Sequence, residues 1–309
     1  MHALSVDLEE YFHVTNFEDV IGPQQWDRMP SRVVVATRRL LDRFDEHGAR
    51  ATFFALGWVA EKHPELLQEI ADRGHEIGCH GHAHRMLGDL GPRAFREDLR
   101  RASHAIELAT GLRPIGFRAP SFSITRETAW ALAVLADEGF AYDSSIFPVR
   151  HPRYGIPGFE RSIVRLELGD GRHILEFPPT TLRLGRWNLP VAGGAYLRIL
   201  PAAVFRFGFR RATRSDRAGL LYVHPWEIDP GQPRVRAPLP GRAIHYWNLA
   251  RTEERLVRLL REGRFVPIDE VLRGRLAEGS VPSRAFEVYD LDGFDRVEGA
   301  QSTEAVEHA

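Results

Sequence analysis

Two stretches far apart in the sequence carry side chains that hold divalent cations or move protons. His80 and His84 stand four residues apart in Cys79-His80-Gly81-His82-Ala83-His84, and Asp7 and Glu9 alternate in Val6-Asp7-Leu8-Glu9-Glu10. Two imidazoles and one carboxylate make a facial metal set with positions left open for water. His82 competes for the same face if the chain stays extended there. Along a strand Asp7 and Glu9 point to one side, and Leu8 and Glu10 to the other. One acid can then bind a cation while its neighbour serves as base, and Glu10 joins them only if the strand bends. Arg118, in Phe117-Arg118-Ala119-Pro120-Ser121-Phe122, can clamp a carboxylate through two N–H groups. His224 follows Leu220-Leu221-Tyr222-Val223 and suits a proton donor, provided a carboxylate orients its second nitrogen. Taken singly, each has a structural reading: exposed loop histidines, a surface salt bridge for Arg118, a helix N-cap for Asp143, a backbone-bonded core histidine for His224.

Their joint position carries more weight. The runs 3–6, 51–54, 75–79, 115–117, 140–142, 173–177 and 220–223 read as strands, with 265–267 a further candidate. Asp7, His80, Arg118, Asp143 and His224 each lie at or just past the C-terminal end of one. Between the strands, apolar residues recur at helical spacing: Val34, Leu40, Leu41 and Phe44 behind a candidate N-cap at Ser31, then 64–72, then Phe95, Leu99, Ala102, Ile106 and Leu108. Segments 125–135, 198–209 and 252–261 also read as helices, whereas 146–189 is irregular apart from its one strand. Strand–helix alternation over about seven strands predicts an α/β fold with a parallel sheet. In a barrel of such strands the C-terminal ends gather on one rim, where enzymes of that architecture build their sites.

Composition narrows the classes. Hydrophobic residues make up 43% and charged residues 27% of the 309, which excludes a disordered or fibrous chain. Lys plus Arg number 41 against 42 Asp plus Glu, so the electrostatic footprint of a nucleic-acid binder is absent. Cys79 is the only cysteine, which excludes an internal disulfide and any zinc site built from several thiolates. No run approaches the ~20 apolar residues of a transmembrane helix. The opening residues lack the basic head and apolar stretch of a signal peptide, so a cytoplasmic protein is expected.

In order, Asp7-x-Glu9, His80-x-x-x-His84, Arg118-Ala119-Pro120-Ser121-Phe122, Asp143-Ser144-Ser145 and Leu221-Tyr222-Val223-His224 resemble the motif series of the polysaccharide deacetylases. These are the carbohydrate esterases of family 4 that carry the NodB homology domain. The opening Ser5-Val6-Asp7-Leu8-Glu9-Glu10-Tyr11-Phe12-His13 and His224-Pro225-Trp226-Glu227 are similar to a subgroup encoded with exosortase and exopolysaccharide genes. The resemblance covers about residues 3–272. It implies a distorted (β/α) barrel of about seven parallel strands and a divalent metal ion, zinc or else cobalt, nickel or manganese. It implies Asp7 as general base, Glu9 (or Glu10), His80 and His84 as metal ligands, and Arg118 as the brace of the base. It implies Asp143 as the acid that tunes the catalytic histidine and His224 as general acid. A backbone N–H near Phe122 would hold the oxyanion. The implied reaction is hydrolysis of an N-acetyl group on an amino sugar of an exopolysaccharide or its precursor, met in the cytoplasm or at the inner membrane face.

This chain departs from the family pattern in three ways. Leu8 separates the two acids, Gly81 follows the first metal histidine, and Phe122 stands where tyrosine is common. Trp26, Trp187, Trp226 and Trp247 are candidates for stacking on sugar rings, Trp226 foremost because it follows His224 closely. Residues 1–275 are expected to form one catalytic barrel, with 225–275 as a subgroup extension and 276–309 as a poorly structured acidic tail. Two alternatives remain: an amidohydrolase of small cyclic amides or ureides on the same barrel, and a carbohydrate-binding homologue without turnover. A pocket closed by 146–189 favours the first alternative; an open groove favours a polymer.

Overall fold

Ala3, Leu4, Ser5, Val6, Asp7 and Leu8 are all buried. A strand hidden on both faces belongs in the middle of a sheet covered by helices on one side and filled on the other. In the computed structural model, which describes residues 1–214 and 217–288, this is β1 (His2–Leu8). It is followed by α1 (Val33–Glu46), β2 (Thr52–Ala55), α2 (Gly57–Lys62), α3 (Pro64–Asp72), β3 (Glu76–Cys79), α4 (Pro92–Thr110), β4 (Gly116–Phe117), α5 (Trp130–Asp137) and β5 (Tyr142–Asp143). Two hairpins come next, β6 (Val164–Gly169) with β7 (Arg172–Glu176) and β8 (Thr181–Leu184) with β9 (Trp187–Pro190). The chain ends through α6 (Gly194–Ile199), α7 (Ala202–Ala212), β10 (Leu220–Val223), α8 (Gly241–Tyr246), α9 (Leu249–Leu260), β11 (Phe265–Val266), α10 (Ile268–Ala277) and β12 (Ser283–Ala285).

Seven neighbouring strands run parallel in the order β10-β1-β2-β3-β4-β5-β7, as the alternation predicts. The sheet curls, because the guanidinium of Arg118, just past β4, lies over the rings of Phe54 from β2 and Tyr222 from β10. No ladder joins β7 to β10 among the described residues. The Thr180 hydroxyl spans the gap instead, accepting from the Leu220 N–H at 2.7 Å and donating to the Leu220 carbonyl at 2.9 Å. Gly193 bridges to Tyr222 beside it at φ 134, where a Cβ would stand 1.8 Å from the Tyr222 carbonyl oxygen. Only glycine permits that approach. The barrel is therefore closed by a seam of individual contacts, which is its distortion.

The helices bury the stripes their spacing predicts, Leu40, Leu41 and Phe44 on α1 and Phe95, Leu99, Ala102 and Ile106 on α4. Leu108 is a correction: it is 74% exposed, because two residues past Ile106 carry the chain to the far side of the helix. Ser31 does not cap α1. The Glu10 carboxylate does, accepting the Arg32 N–H at 2.9 Å and the Val33 N–H at 3.2 Å, with the Ser31 hydroxyl donating to it as well. Strand parity sends Glu10 to the side opposite Glu9, where this helix begins.

The stretch 146–189 is more regular than its sequence suggests. In β6, buried Val164, Leu166 and Leu168 alternate with half-buried Arg165 and Glu167 before the turn at Gly169-Asp170-Gly171. That period-2 signal was in the sequence. The expected helix over 198–209 is two helices split at Pro201. Of the segment expected to be loose, 276–288 is partly ordered. The helix α10 runs to Ala277, and β12 pairs in parallel with β6. An edge strand is recruited through backbone groups, so hydrophobic spacing does not announce it. The rest of the expected tail, 289–309, lies outside the described residues. No helix among the described residues is long and apolar enough to cross a membrane.

Replacing Glu10 with alanine leaves the first N–H groups of α1 without an acceptor. It should lower unfolding free energy by about 2 kcal/mol, read by urea denaturation. Metal affinity, measured by calorimetry, should not change, because Glu10 faces away from Glu9.

Candidate active site

β1 ends at Leu8, and Glu9 follows it into the mouth of the barrel. β3 ends at Cys79, and His80 follows. The turn after His80 is set by Asp98 on α4, whose carboxylate accepts the His82 N–H at 2.7 Å. Gly81 sits at φ +73, and a Cβ there would be 2.9 Å from Asp98 Oδ2. Glycine at this departure from the family pattern is thus required by geometry. The turn carries His84 back to His80 and sends His82 away, its Nε2 3.1 Å from Glu61 Oε1. Donor atoms of Glu9, His80 and His84 all lie within 4.8 Å of one another.

The donor chemistry suits a divalent cation. His80 Nδ1 meets the Arg118 carbonyl at 2.7 Å. A carbonyl only accepts, so the proton is on Nδ1 and the Nε2 lone pair is free. Burial pushes His80 down to about 4, which keeps it neutral near pH 7. Glu9 Oε2 lies 2.9 Å from His84 Nε2, and Oε1 accepts the Trp226 indole N–H at 3.0 Å. Burial by itself would raise the Glu9 carboxyl, but the charges and hydrogen bond of His84, with His224 and His80 adding, hold it well below the usual carboxylate range. It is Glu9, not Glu10, that belongs to this set.

Asp7 lies beside it. Arg118 is completely buried, and its Nη1 donates to Asp7 Oδ1 at 2.6 Å and to the Ser5 hydroxyl at 2.7 Å. Its Nε and Nη2 reach the Ser144 carbonyl and hydroxyl. With Oδ1 clamped, Asp7 Oδ2 lies 3.7 Å from His224 Nε2, so the acid and the imidazole face the same space.

His224 is oriented by Glu227, whose Oε2 is 3.0 Å from both His224 Nδ1 and the His224 backbone nitrogen. Burial alone would lower this histidine, but Glu227, aided by Glu9 and Asp7, outweighs that and lifts it to about 9. Glu227 is in turn held by the buried Arg198, Nε to Oε1 at 2.7 Å. Burial works against ionising Glu227, yet Arg198 and His224 bring it down to about 2. The sequence did signal Glu227, as an acid three residues past the residue that starts a turn. Arg198, far off in the sequence, gave no signal.

Three expectations are corrected here. Asp143 does not touch His224: its oxygens accept from the Ser145 hydroxyl at 2.5 Å and the Ser145 N–H at 3.0 Å. Ser145 Oγ accepts the Ala119 N–H, so Asp143 braces the backbone beside Arg118. The Phe122 N–H is spent on the Ala119 carbonyl at 3.0 Å, because Ser121 and Phe122 turn through φ 53 and 55, a costly conformation for such side chains. Phe122 offers its ring to the site, not its backbone donor. Trp226 is no platform for a sugar. It is 5% exposed, and its ring stacks on those of His224 and His245, 5.0 and 4.2 Å away between centroids. Of the other tryptophans, Trp26 is buried while Trp187 and Trp247 are exposed. Cys79 is buried in the core, and burial raises its thiol to about 12.

These groups form the floor of a cavity of about 650 Å³. The segments around it are joined by a series of contacts. Thr15 Oγ1 meets Ser121 Oγ at 2.5 Å, and Phe122 contacts Tyr154 with centroids 6.3 Å apart. The Tyr154 hydroxyl lies 3.3 Å from that of Tyr196 on α6. Arg198, also on α6, donates to the Ile244 and His245 carbonyls of α8. The His245 ring rests on Phe17 at 4.6 Å, next to Thr15.

Comparison with known proteins divides the chain. Residues 24–140 match the family model described as polysaccharide deacetylase, and residues 144–273 match a domain of unknown function, DUF3473. A peptidoglycan deacetylase-like protein of Gibberella zeae is 35% identical over 114 residues, 36% of this chain and 33% of that one. A peptidoglycan-N-acetylglucosamine deacetylase of Bacillus cereus is 32% identical over 96 residues, 31% of this chain and 35% of that one. The chain thus spans about a third of the length of these curated relatives. The solved structure of a proposed polysaccharide deacetylase from Mycobacterium smegmatis superposes with a TM-score of 0.62 at 22% identity, covering 93% of this chain and 94% of that one. That likeness establishes a shared fold. Residues 24–140 thus carry the sequence likeness to polysaccharide deacetylases.

Proposed function

We propose that the protein is a metal-dependent hydrolase that removes N-acetyl groups from amino sugars of an exopolysaccharide or its precursor. The observation that carries this is the grouping of Glu9, His80 and His84 donors within 4.8 Å, flanked by Asp7 and His224. The relatives named above as peptidoglycan deacetylases support the substrate class. Glu9, His80 and His84 would hold the cation, and two imidazoles with one carboxylate suit zinc, or cobalt, nickel or manganese. When bound, such an ion supplies Lewis acidity that polarises an acyl oxygen and acidifies water.

The chain's own residues handle the protons. Arg118 fixes one oxygen of Asp7, so the other is turned toward the cavity to accept a proton from the attacking water. An amide nitrogen leaves only if it is protonated, since an amide anion is far too basic. With Nδ1 engaged by Glu227, protonated His224 presents Nε2–H to that nitrogen. One water and one N-acetyl group become acetate and an ammonium group, and transfer of a proton from Asp7 to His224 restores both residues.

A second reading, hydrolysis of a small cyclic amide or ureide, draws on the ring of contacts around the cavity. Release of acetate from N-acetylglucosamine oligomers decides between the two: its absence, together with turnover of a cyclic ureide, would establish the second.

His80→Ala should abolish both metal binding and acetate release. Asp7→Asn should retain metal, measured by elemental analysis, and lose about 100-fold or more in turnover. Full activity in Asp7→Asn would refute the role of base.

Because His224 must be protonated to donate, activity falls as pH rises through its pKa. Glu227→Gln removes the carboxylate that raises this pKa, so the alkaline limb of the kcat profile should move down by about 1–3 pH units. Asp143→Asn should lower the melting temperature and leave that limb in place, since Asp143 braces backbone rather than His224. A shifted limb in Asp143→Asn would restore the role that its motif implies.

A further inference from the structure

We infer that the cavity takes its substrate end-on: it accepts the terminal N-acetylated sugar of a saccharide, or a mono- or disaccharide, and refuses interior residues of a long chain. This rests on the deacetylase reading above and narrows its substrate. An interior residue of a glycan has chain leaving from two sides, so it can reach a buried site only through a groove open at both ends. Here Asp7, Glu9 and His80 are almost fully buried at the cavity floor, so the reacting sugar has to descend to them.

Contacts join the segments around the mouth into a ring. Five chain segments ring the mouth: 14–17, 121–122, 151–154, 195–199 and 240–245. Each touches the next. Thr15 bonds Ser121, Phe122 meets Tyr154, the Tyr154 and Tyr196 hydroxyls lie 3.3 Å apart, Arg198 holds the α8 carbonyls, and α8 returns to the first segment through His245 and Phe17. That last junction is also tight at Gly241, where a Cβ would lie 3.2 Å from Asn16 Cβ. A space of about 650 Å³ lies within the ordinary range for small-molecule pockets. Phe122, Tyr154, Tyr196 and Tyr222 give it the aromatic lining against which the apolar face of a sugar ring packs. Three of the five segments belong to 144–273, so the domain of unassigned function is what turns the mouth of the barrel into a ringed cup.

The test uses the zinc-loaded full chain and the pentamer of N-acetylglucosamine with its reducing end converted to the alditol. Tandem mass spectrometry then locates each free amine. The expected result is amine on the terminal sugar only, with long soluble polymer of equal acetyl content deacetylated more than about tenfold more slowly. Opening the weakest junction with Tyr196→Ala should introduce amines at interior positions, with folding verified by thermal melting. Amines spread through the interior of the pentamer with the unmodified protein would overturn the inference while leaving the deacetylase reading intact. No acetate from the monomer, the pentamer or the polymer would overturn that reading and this inference with it.

Discussion

The site depends on one buried cation that is part of the protein itself. Arg118 has no exposed surface, and a guanidinium without water needs an acceptor for each N–H and a counter-charge nearby. Ser5 and Asp7 from β1 and Ser144 after β5 supply four acceptors and the counter-charge, while the Phe54 ring covers one face. These partners come from separate strands, and they can meet only if the sheet curls. The carbonyl of the same residue fixes the tautomer of His80. One residue therefore sets the orientation of Asp7, the lone pair of the His80 imidazole and the closure of the barrel. Removing either partner of such a pair strands a charge, which costs far more than the pair contributes.

A second line of constraint enters from the other half of the chain. His224, Trp226, Glu227 and Arg198 all lie in 144–273, and each acts on a group supplied by β1 or on the next member of the line. Trp226 holds Glu9, Glu227 holds His224, and Arg198 holds Glu227 and the carbonyls of α8. The region matched by the deacetylase model brings His80, His84 and Arg118, while Asp7 and Glu9 precede it. Neither segment alone contains a full set of proton-handling groups.

The parallel strands, the main helices and the grouping of Asp7, Glu9, His80, His84, Arg118 and His224 were legible, because apolar runs ending in ionisable residues report strand ends directly. Parity along β1 also separated Glu9 from Glu10. Asp143 misled because a motif position states where a residue sits and not which neighbour its side chain chooses. Ser145, two residues on, is closer to hand than a histidine on another strand. The hairpins within 164–190 were legible in part, through the alternation of Val164, Leu166 and Leu168 in β6. The ring of contacts around the cavity could not be read at all. It is made of contacts such as Thr15 to Ser121, between residues 106 positions apart, and nothing local in either segment encodes its partner.

The charges on the cavity floor also constrain one another. Glu9 Oε1 lies 3.8 Å and Asp7 Oδ2 3.7 Å from His224 Nε2, and both help to raise that histidine. At such separations a unit charge in a partly screened interior acts with a few kcal/mol, enough to move a pKa by more than a unit. Any cation held by Glu9 neutralises one of the two carboxylates that favour protonated His224. Glu227 is on the far side of the ring, bonded to Nδ1 and locked to Arg198, and so is out of the cation's direct competition. The line Arg198–Glu227–His224 thus keeps the imidazole available as a proton donor when the charge of Glu9 is spent elsewhere. That separation of duties accounts for Glu227 beside His224 in addition to Glu9, where a single shared acid would have to serve both the ion and the proton.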